Sequence, residues 1–237
     1  MPQEQAAKAP KPKRFSFGIR GRDFPIREFG NMGSKTVQTT TYAPQPAPKD
    51  WLFSTTTKSP FWGAGVAGEY YGGERWTITA EVMYNRVAYT QQTEVDWGVD
   101  NPATSFDERE HEFFTEDTKA RLFDLPVLLH YRPVPAGSRF SKLYVSGGAT
   151  VRYASKVDSF LTTISPSDIT TINSQVVKPS ERVIVGGTIG IGFRVVDDFN
   201  IKTTPEIRYT RWGGSTFSNQ STISPRNQIE VGLAFTF

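Results

Sequence analysis

From Phe15 onward, apolar and polar positions alternate with a period of two, and no stripe at helical spacing of useful length interrupts the pattern. A period of two puts successive side chains on opposite faces of a β-strand. Eight segments carry it: Phe15 to Ile26, Phe61 to Tyr71, Trp76 to Tyr89, Arg121 to Arg132, Lys142 to Ser155, Arg182 to Val196, Asn200 to Trp212 and Asn227 to Phe237. Most of them have about the 9–11 residues that a tilted transmembrane strand needs. The spacing predicts a chain that is nearly all β.

The connections between these segments alternate in length. Short ones run through Gly72-Gly73-Glu74-Arg75, from Pro133 to Ser141, and through Asp197-Asp198-Phe199. The others, Arg27 to Pro60, Thr90 to Ala120, Lys156 to Glu181 and Gly213 to Arg226, are long and polar and are expected to be loops. Short turns at one end and long loops at the other are the layout of an outer-membrane barrel, with both termini on the periplasmic side.

Alternation alone does not say whether the apolar face points inward, as in a soluble carrier, or outward into lipid. The composition of the polar face separates the two. Along the last segment Ile229, Val231, Leu233, Phe235 and Phe237 share one face, and Gln228, Glu230, Gly232, Ala234 and Thr236 share the other. In the sixth segment an apolar row from Val183 to Val195 opposes Thr188, Gly190, Gly192 and Arg194. A water-facing surface favours long Lys and Glu, whereas this face is mostly small residues with isolated charges of both signs, the profile of a crowded lumen. Arg20, Arg22, Arg152, Arg194, Lys202 and Arg208 are then expected to pair with Glu69, Glu81, Asp124, Glu206 and Glu230 across the interior, because unpaired buried charges are costly.

Aromatic residues give a second check, since Trp and Tyr favour the two membrane interfaces. With the strands laid antiparallel, Tyr70, Trp76, Tyr131, Phe199 and Phe237 fall near the short-turn end, and Trp62, Tyr84, Tyr153, Tyr209 and Trp212 near the long-loop end. Pro126 and Pro205 each remove a ladder donor, so a bulge or local break is expected at both.

Composition narrows the function. The formal charge of +3 is accounted for by Lys8, Lys11, Lys13 and Arg14 less Glu4, so the remainder lacks the basic footprint of a nucleic-acid binder. Residues 1–14, rich in Ala, Pro and Lys, read as a disordered linker, and residues 15–237 as the barrel domain. The first residues lack the apolar core of a secretory signal; export then requires a signal already trimmed or lying upstream. With no cysteine in the chain, disulfides, thiol catalysis and Cys-ligated zinc are excluded.

The closing stretch Glu230-Val231-Gly232-Leu233-Ala234-Phe235-Thr236-Phe237 has the order polar, x, Gly, x, x, aromatic, x, aromatic. With it, Phe123-Asp124-Leu125-Pro126-Val127-Leu128-Leu129-His130-Tyr131 and Thr204-Pro205-Glu206-Ile207-Arg208-Tyr209 resemble strands of small bacterial outer-membrane β-barrels, the group that includes OmpA-like, opacity-like and PorT-like proteins. The resemblance covers residues 15–237. It implies an eight-stranded antiparallel up-and-down transmembrane barrel in the bacterial outer membrane, in contact with membrane lipid and lipopolysaccharide. It also implies that Glu230, Gly232, Phe235 and Phe237 form the signal read by the outer-membrane assembly machinery.

Candidates for chemistry are few. His111 lies in an acidic stretch, and His130 lies at the periplasmic end of its strand, which is the wrong place for a hydrolytic site acting near the outer leaflet; it is expected to be a satisfied lumen or interface residue. No catalytic residue and no cofactor are expected. Asp107, Glu108, Glu110 and Glu112 belong to a carboxylate-rich stretch able to collect divalent cations through oxygen ligands, but the spacing matches no calcium loop, and a solvated surface loop is the favoured reading. An eight-stranded barrel is filled by its own side chains, so the expected role is non-enzymatic: an anchor whose loops meet an unidentified partner. A narrow channel and a soluble carrier of a lipophilic ligand are the alternatives.

Overall fold

The computed structural model describes residues 14–24, 35–39, 49–57, 62–73, 75–97, 101–106, 110–134, 141–164, 170–175, 179–199, 201–218 and 224–237. Most of the linker expected over residues 1–14 lies outside them. The described residues form strands and turns only: β1 (Phe15–Asp23), β2 (Lys35–Thr39), β3 (Lys49–Thr57), β4 (Trp62–Tyr71), β5 (Trp76–Trp97), β6 (Glu110–Tyr131), β7 (Leu143–Ile164), β8 (Thr170–Gln175), β9 (Val183–Phe193), β10 (Val195–Val196), β11 (Lys202–Trp212) and β12 (Asn227–Thr236).

Eight of these strands close a ring of antiparallel pairs in the order β1-β4-β5-β6-β7-β9-β11-β12. The seam lies between β12 and β1, which pair from Gly18↔Thr236 to Asp23↔Val231. A closed ring leaves no strand edge exposed to lipid, which is the condition for crossing a bilayer with strands. The expected transmembrane barrel is therefore the observed architecture.

Side-chain direction follows the alternation. Apolar residues of the ring strands face outward, with Ile19 59% exposed, Ile189 63% and Val66 57%. Their neighbours in sequence, Arg20, Thr188 and Ala67, are buried inside. This is the reverse of a soluble carrier, whose apolar face would line the cavity. Aromatic contacts mark both ends of the outer surface: Phe15 with Tyr70 and Trp76 with Tyr131 at the short-turn end, Tyr84 with Phe123 toward the other.

Three of the expected long loops are in large part strand. β5, β6 and β7 have 22 residues each, roughly 70 Å at about 3.3 Å per residue, against an apolar band about 25 Å tall. Their outer halves stand beyond the ring. β5 leaves its partner β4 near Tyr84 and pairs instead with β3 from Thr57↔Tyr89 to Lys49↔Trp97. β7 leaves β9 at Tyr153 and pairs with β8 from Ser159↔Gln175 to Ile164↔Thr170. With β2 on β3, an open sheet in the order β2-β3-β5-β6-β7-β8 rises from one side of the barrel. A β-bulge marks the transition: pairing shifts between Arg121/Leu122, where Arg121 faces Lys156 and Leu122 faces Ala154, leaving Ser155 as the extra residue. Outside lipid the outward face no longer needs apolar residues, and the alternation that identified the ring strands fades.

Both prolines behave as donors removed from a ladder. On β6 the pairs to β5 stop at Ala80↔Val127 and resume at Met83↔Asp124, skipping Pro126. On β11 the pairing with β9 ends at Glu206↔Gly192 and is taken up by β10 at Thr203↔Val195, skipping Pro205. The register is unchanged across each gap, so these are local breaks and not bulges.

Candidate functional site

Inward parity gathers the charged residues of the ring. Arg20 and Arg22 come from β1, Glu69 from β4, Glu81 from β5, Asp124 from β6, Arg152 from β7, Glu206 and Arg208 from β11, and Glu230 from β12; all are buried. Asp124 is the centre of one group. Arg152 donates to it through Nε at 2.7 Å and Nη2 at 2.8 Å, Arg22 Nη2 at 2.5 Å and Asn85 Nδ2 at 3.2 Å. Arg22 reaches on to Glu230 at 3.0 Å, and Arg152 to Gln228 at 2.9 Å.

Arg208 is the centre of the second group. Its two terminal nitrogens donate to both oxygens of Glu81 at 2.8 and 2.7 Å, and Nη2 lies 2.8 Å from Glu206. Arg20 donates to Glu206 at 3.0 Å and lies 3.5 Å from Glu81 and 3.7 Å from Glu230. Glu206 also accepts from Ser146 Oγ at 2.7 Å. Glu230 faces arginines of both groups, so four arginines and four carboxylates form one continuous, formally neutral cluster. Fork-to-carboxylate bonds of this kind are among the stronger charge-assisted ones and fix orientation as well as distance.

Glycines leave the space these long side chains occupy. A Cβ at Gly190 would crowd Ser146, Arg208 and Glu206, and one at Gly232 would fall on the Arg20 guanidinium. Gly190 and Gly192 of β9 and Gly232 of β12 thus belong to lumen packing. Beside the cluster the lumen retains a void of single-water size lined by Thr150, Thr188, Thr210, Trp212 and Gln228 among others.

Arg194 and Lys202 form a separate layer nearer the short-turn end. Arg194 donates to Glu69 at 2.6 Å, and the Tyr71 hydroxyl donates to the same carboxylate. Lys202 donates to Ser16 Oγ at 2.7 Å and to the Tyr71 hydroxyl at 2.9 Å, with its ammonium 4.3 Å from the Tyr71 ring centroid. All eleven expected lumen charges are therefore inside. Lys202, which is half-buried, is the least enclosed of them.

Two expectations need correction. Trp212 is not in the outer aromatic belt: it is 2% exposed, its indole donates to Gln228 at 3.0 Å, and the Arg152 guanidinium sits 4.3 Å over its ring. Its parity is that of Arg208 and Thr210, which face the lumen. His130 is buried as expected but not satisfied. It stacks on Tyr144 at 4.7 Å between centroids, and among the described residues neither ring nitrogen has a hydrogen-bond partner, nor does the Tyr144 hydroxyl.

At the outer end an apolar cap closes over the polar cluster. Val87, Tyr89, Ala120, Leu122, Ala154 and Val157 pack with Phe217, which comes from the connection between β11 and β12. Ser224 and Phe217 exchange backbone and side-chain hydrogen bonds, and the Thr216 carbonyl accepts from the Ser180 amide. That connection is folded inward at this point, which its polar sequence did not reveal.

The family model described as outer membrane protein beta-barrel domain matches residues 56–213. The chain belongs to this family. The match covers more than half of the barrel and agrees with the closed ring and the outward apolar face, so the barrel resides in the bacterial outer membrane. No curated protein matches it.

The acidic stretch is only partly in view. Asp107 and Glu108 lie outside the described residues, Glu110 is exposed, and Glu112 shares the inner face of the sheet with Val95, its cross-strand partner. The other face of the same two strands brings together Glu94, Asp96 and His111, a grouping that spacing along the chain conceals because it forms across the β5–β6 pair.

Proposed function

We propose that the barrel is a non-enzymatic anchor with a closed lumen that holds an interaction surface outside the cell. The observation that carries this reading is the continuous Arg/Glu cluster, drawn from six of the eight ring strands and capped by the Phe217 group, with room left for about one water. An eight-stranded barrel has little interior beyond its own side chains, and ions crossing this one would have to part bidentate pairs.

The surface offered is the sheet β2-β3-β5-β6-β7-β8. One row of its outer face runs Leu52, Glu94, Phe113, Ile164 across successive strands, with Leu52 39%, Phe113 44% and Ile164 40% exposed. Apolar groups in a polar setting of this kind suit a protein partner or the lipopolysaccharide surface. Delivery to the membrane is assigned to the last strand: Phe235 and Phe237 lie on its outward side, next to the seam, within reach of the assembly machinery, while Glu230 and Gly232 serve the lumen.

Planar bilayer recording tests the closed lumen. The wild-type barrel is expected to give no steady current at moderate voltage, whereas Glu81→Ala combined with Arg208→Ala, which removes a charge pair without changing net charge, is expected to give current steps. A steady wild-type current would favour the narrow channel instead.

A further inference from the structure

We propose that Glu94, Asp96 and His111 form a site for a divalent transition ion, of which Zn²⁺ is the representative, on the outer face of the extracellular sheet. The reading is independent of whether the lumen conducts. His111 Nδ1 lies 2.8 Å from Asp96 Oδ1 and 3.6 Å from Glu94 Oε1, and the three ligand atoms all lie within 4.8 Å of one another. Metal bonds of about 2.0–2.2 Å separate neighbouring ligand atoms by roughly 3.0–3.5 Å in octahedral or tetrahedral geometry. The His111–Asp96 and His111–Glu94 separations bracket that edge and the Glu94–Asp96 separation lies within 4.8 Å, so side-chain rotations can seat an ion.

The donor set chooses the ion. Two carboxylates alone would suit calcium or magnesium, whereas an imidazole nitrogen among them favours a borderline transition ion. The supporting frame is stiff. Asp96 and His111 are directly opposed in the β5–β6 ladder, and Glu94 is two residues along on the same face, opposite Phe113. The His111 ring is stacked with Phe113, 6.4 Å between centroids and 19° apart. Sites on paired strands hold their geometry better than sites on loops.

The trio is half-buried, accessible from outside the cell, with coordination positions left for water or for a group on a partner.

The test is calorimetric titration of the folded barrel, in detergent and free of chelators, with ZnCl₂ and separately with CaCl₂. One Zn²⁺ per chain is expected, bound at least tenfold more tightly than Ca²⁺. His111→Ala and Asp96→Asn are each expected to weaken Zn²⁺ binding at least tenfold, with the folded band on a cold gel confirming that the variants are intact. Co²⁺ added to the wild-type protein gives an answer that needs no variant: visible d–d bands displaced from those of the aqueous ion, and removed by Zn²⁺, are expected. Absence of Zn²⁺ heat, Zn²⁺ binding unchanged in His111→Ala, or Ca²⁺ and Zn²⁺ bound alike would each overturn the proposal, the last two leaving only a diffuse acidic surface.

Discussion

Replacing Asp124 by asparagine is expected to lower the unfolding free energy of the barrel by about 3–5 kcal/mol, the cost of leaving one side of a buried ion pair uncompensated. Asp124 is fully buried and accepts from Arg22, Arg152 and Asn85 at once. The amide keeps the shape of the carboxylate but turns one acceptor into a donor aimed at guanidinium groups. Urea unfolding in phospholipid vesicles, followed by tryptophan fluorescence, measures the loss. Adding Arg152→Gln to Asp124→Asn is expected to recover part of it, because the second change removes one of the stranded charges; coupled residues of this kind depart from additivity. Equal, additive losses would mean that the two side chains do not share a carboxylate–guanidinium contact.

Ile189→Arg gives the second large effect, and its size depends on the solvent outside the barrel. Ile189 is 63% exposed near the middle of β9, and at an exposed site in water such a change stays within about 0.5 kcal/mol. Against hydrocarbon near the bilayer midplane, an arginine on the lipid face costs about 2–4 kcal/mol. The same vesicle unfolding assay reads the difference. A loss of that size identifies the outward face as the lipid face, and an unchanged midpoint would place it in water.

The sequence made the ring strands legible because lipid imposes apolar residues on one face while a crowded lumen imposes small or paired polar ones on the other. Position 20 beside 19, 194 beside 193 and 230 beside 231 therefore announce both faces at once. The lumen network was legible for the same reason: inward parity together with opposite charge leaves Arg20, Arg22, Arg152 and Arg208 few places to go other than Glu81, Asp124, Glu206 and Glu230.

What the sequence hid follows from the same physics. Beyond the bulge at Ser155 no lipid demands an apolar face, so Thr90-Gln91-Gln92-Thr93-Glu94 reads as loop although it is strand. Closeness to a strand end puts Trp212 in the outer belt, whereas its parity with Arg208 and Thr210 places it inside, against Arg152. The Glu94, Asp96 and His111 grouping depends on the β5–β6 register, and that register is set by the turn and by pairing, neither of which a linear spacing records.

The charged cluster is sealed inside a ring closed between β1 and β12, and an engineered disulfide across that seam probes the closure. The chain has no cysteine, so Ile19→Cys with Phe235→Cys introduces a single possible disulfide between register partners at the seam. Opposed residues in an antiparallel ladder have Cα atoms about 4.5–5.5 Å apart, inside the range a disulfide spans. Mild oxidation of the folded protein in the outer membrane is expected to join the two ends of the chain, giving a faster band after boiling that reverts on reduction. A double variant that folds and stays reduced, while cysteines at Gly18 and Phe237 or at other offsets cross-link, would contradict the closed seam described here.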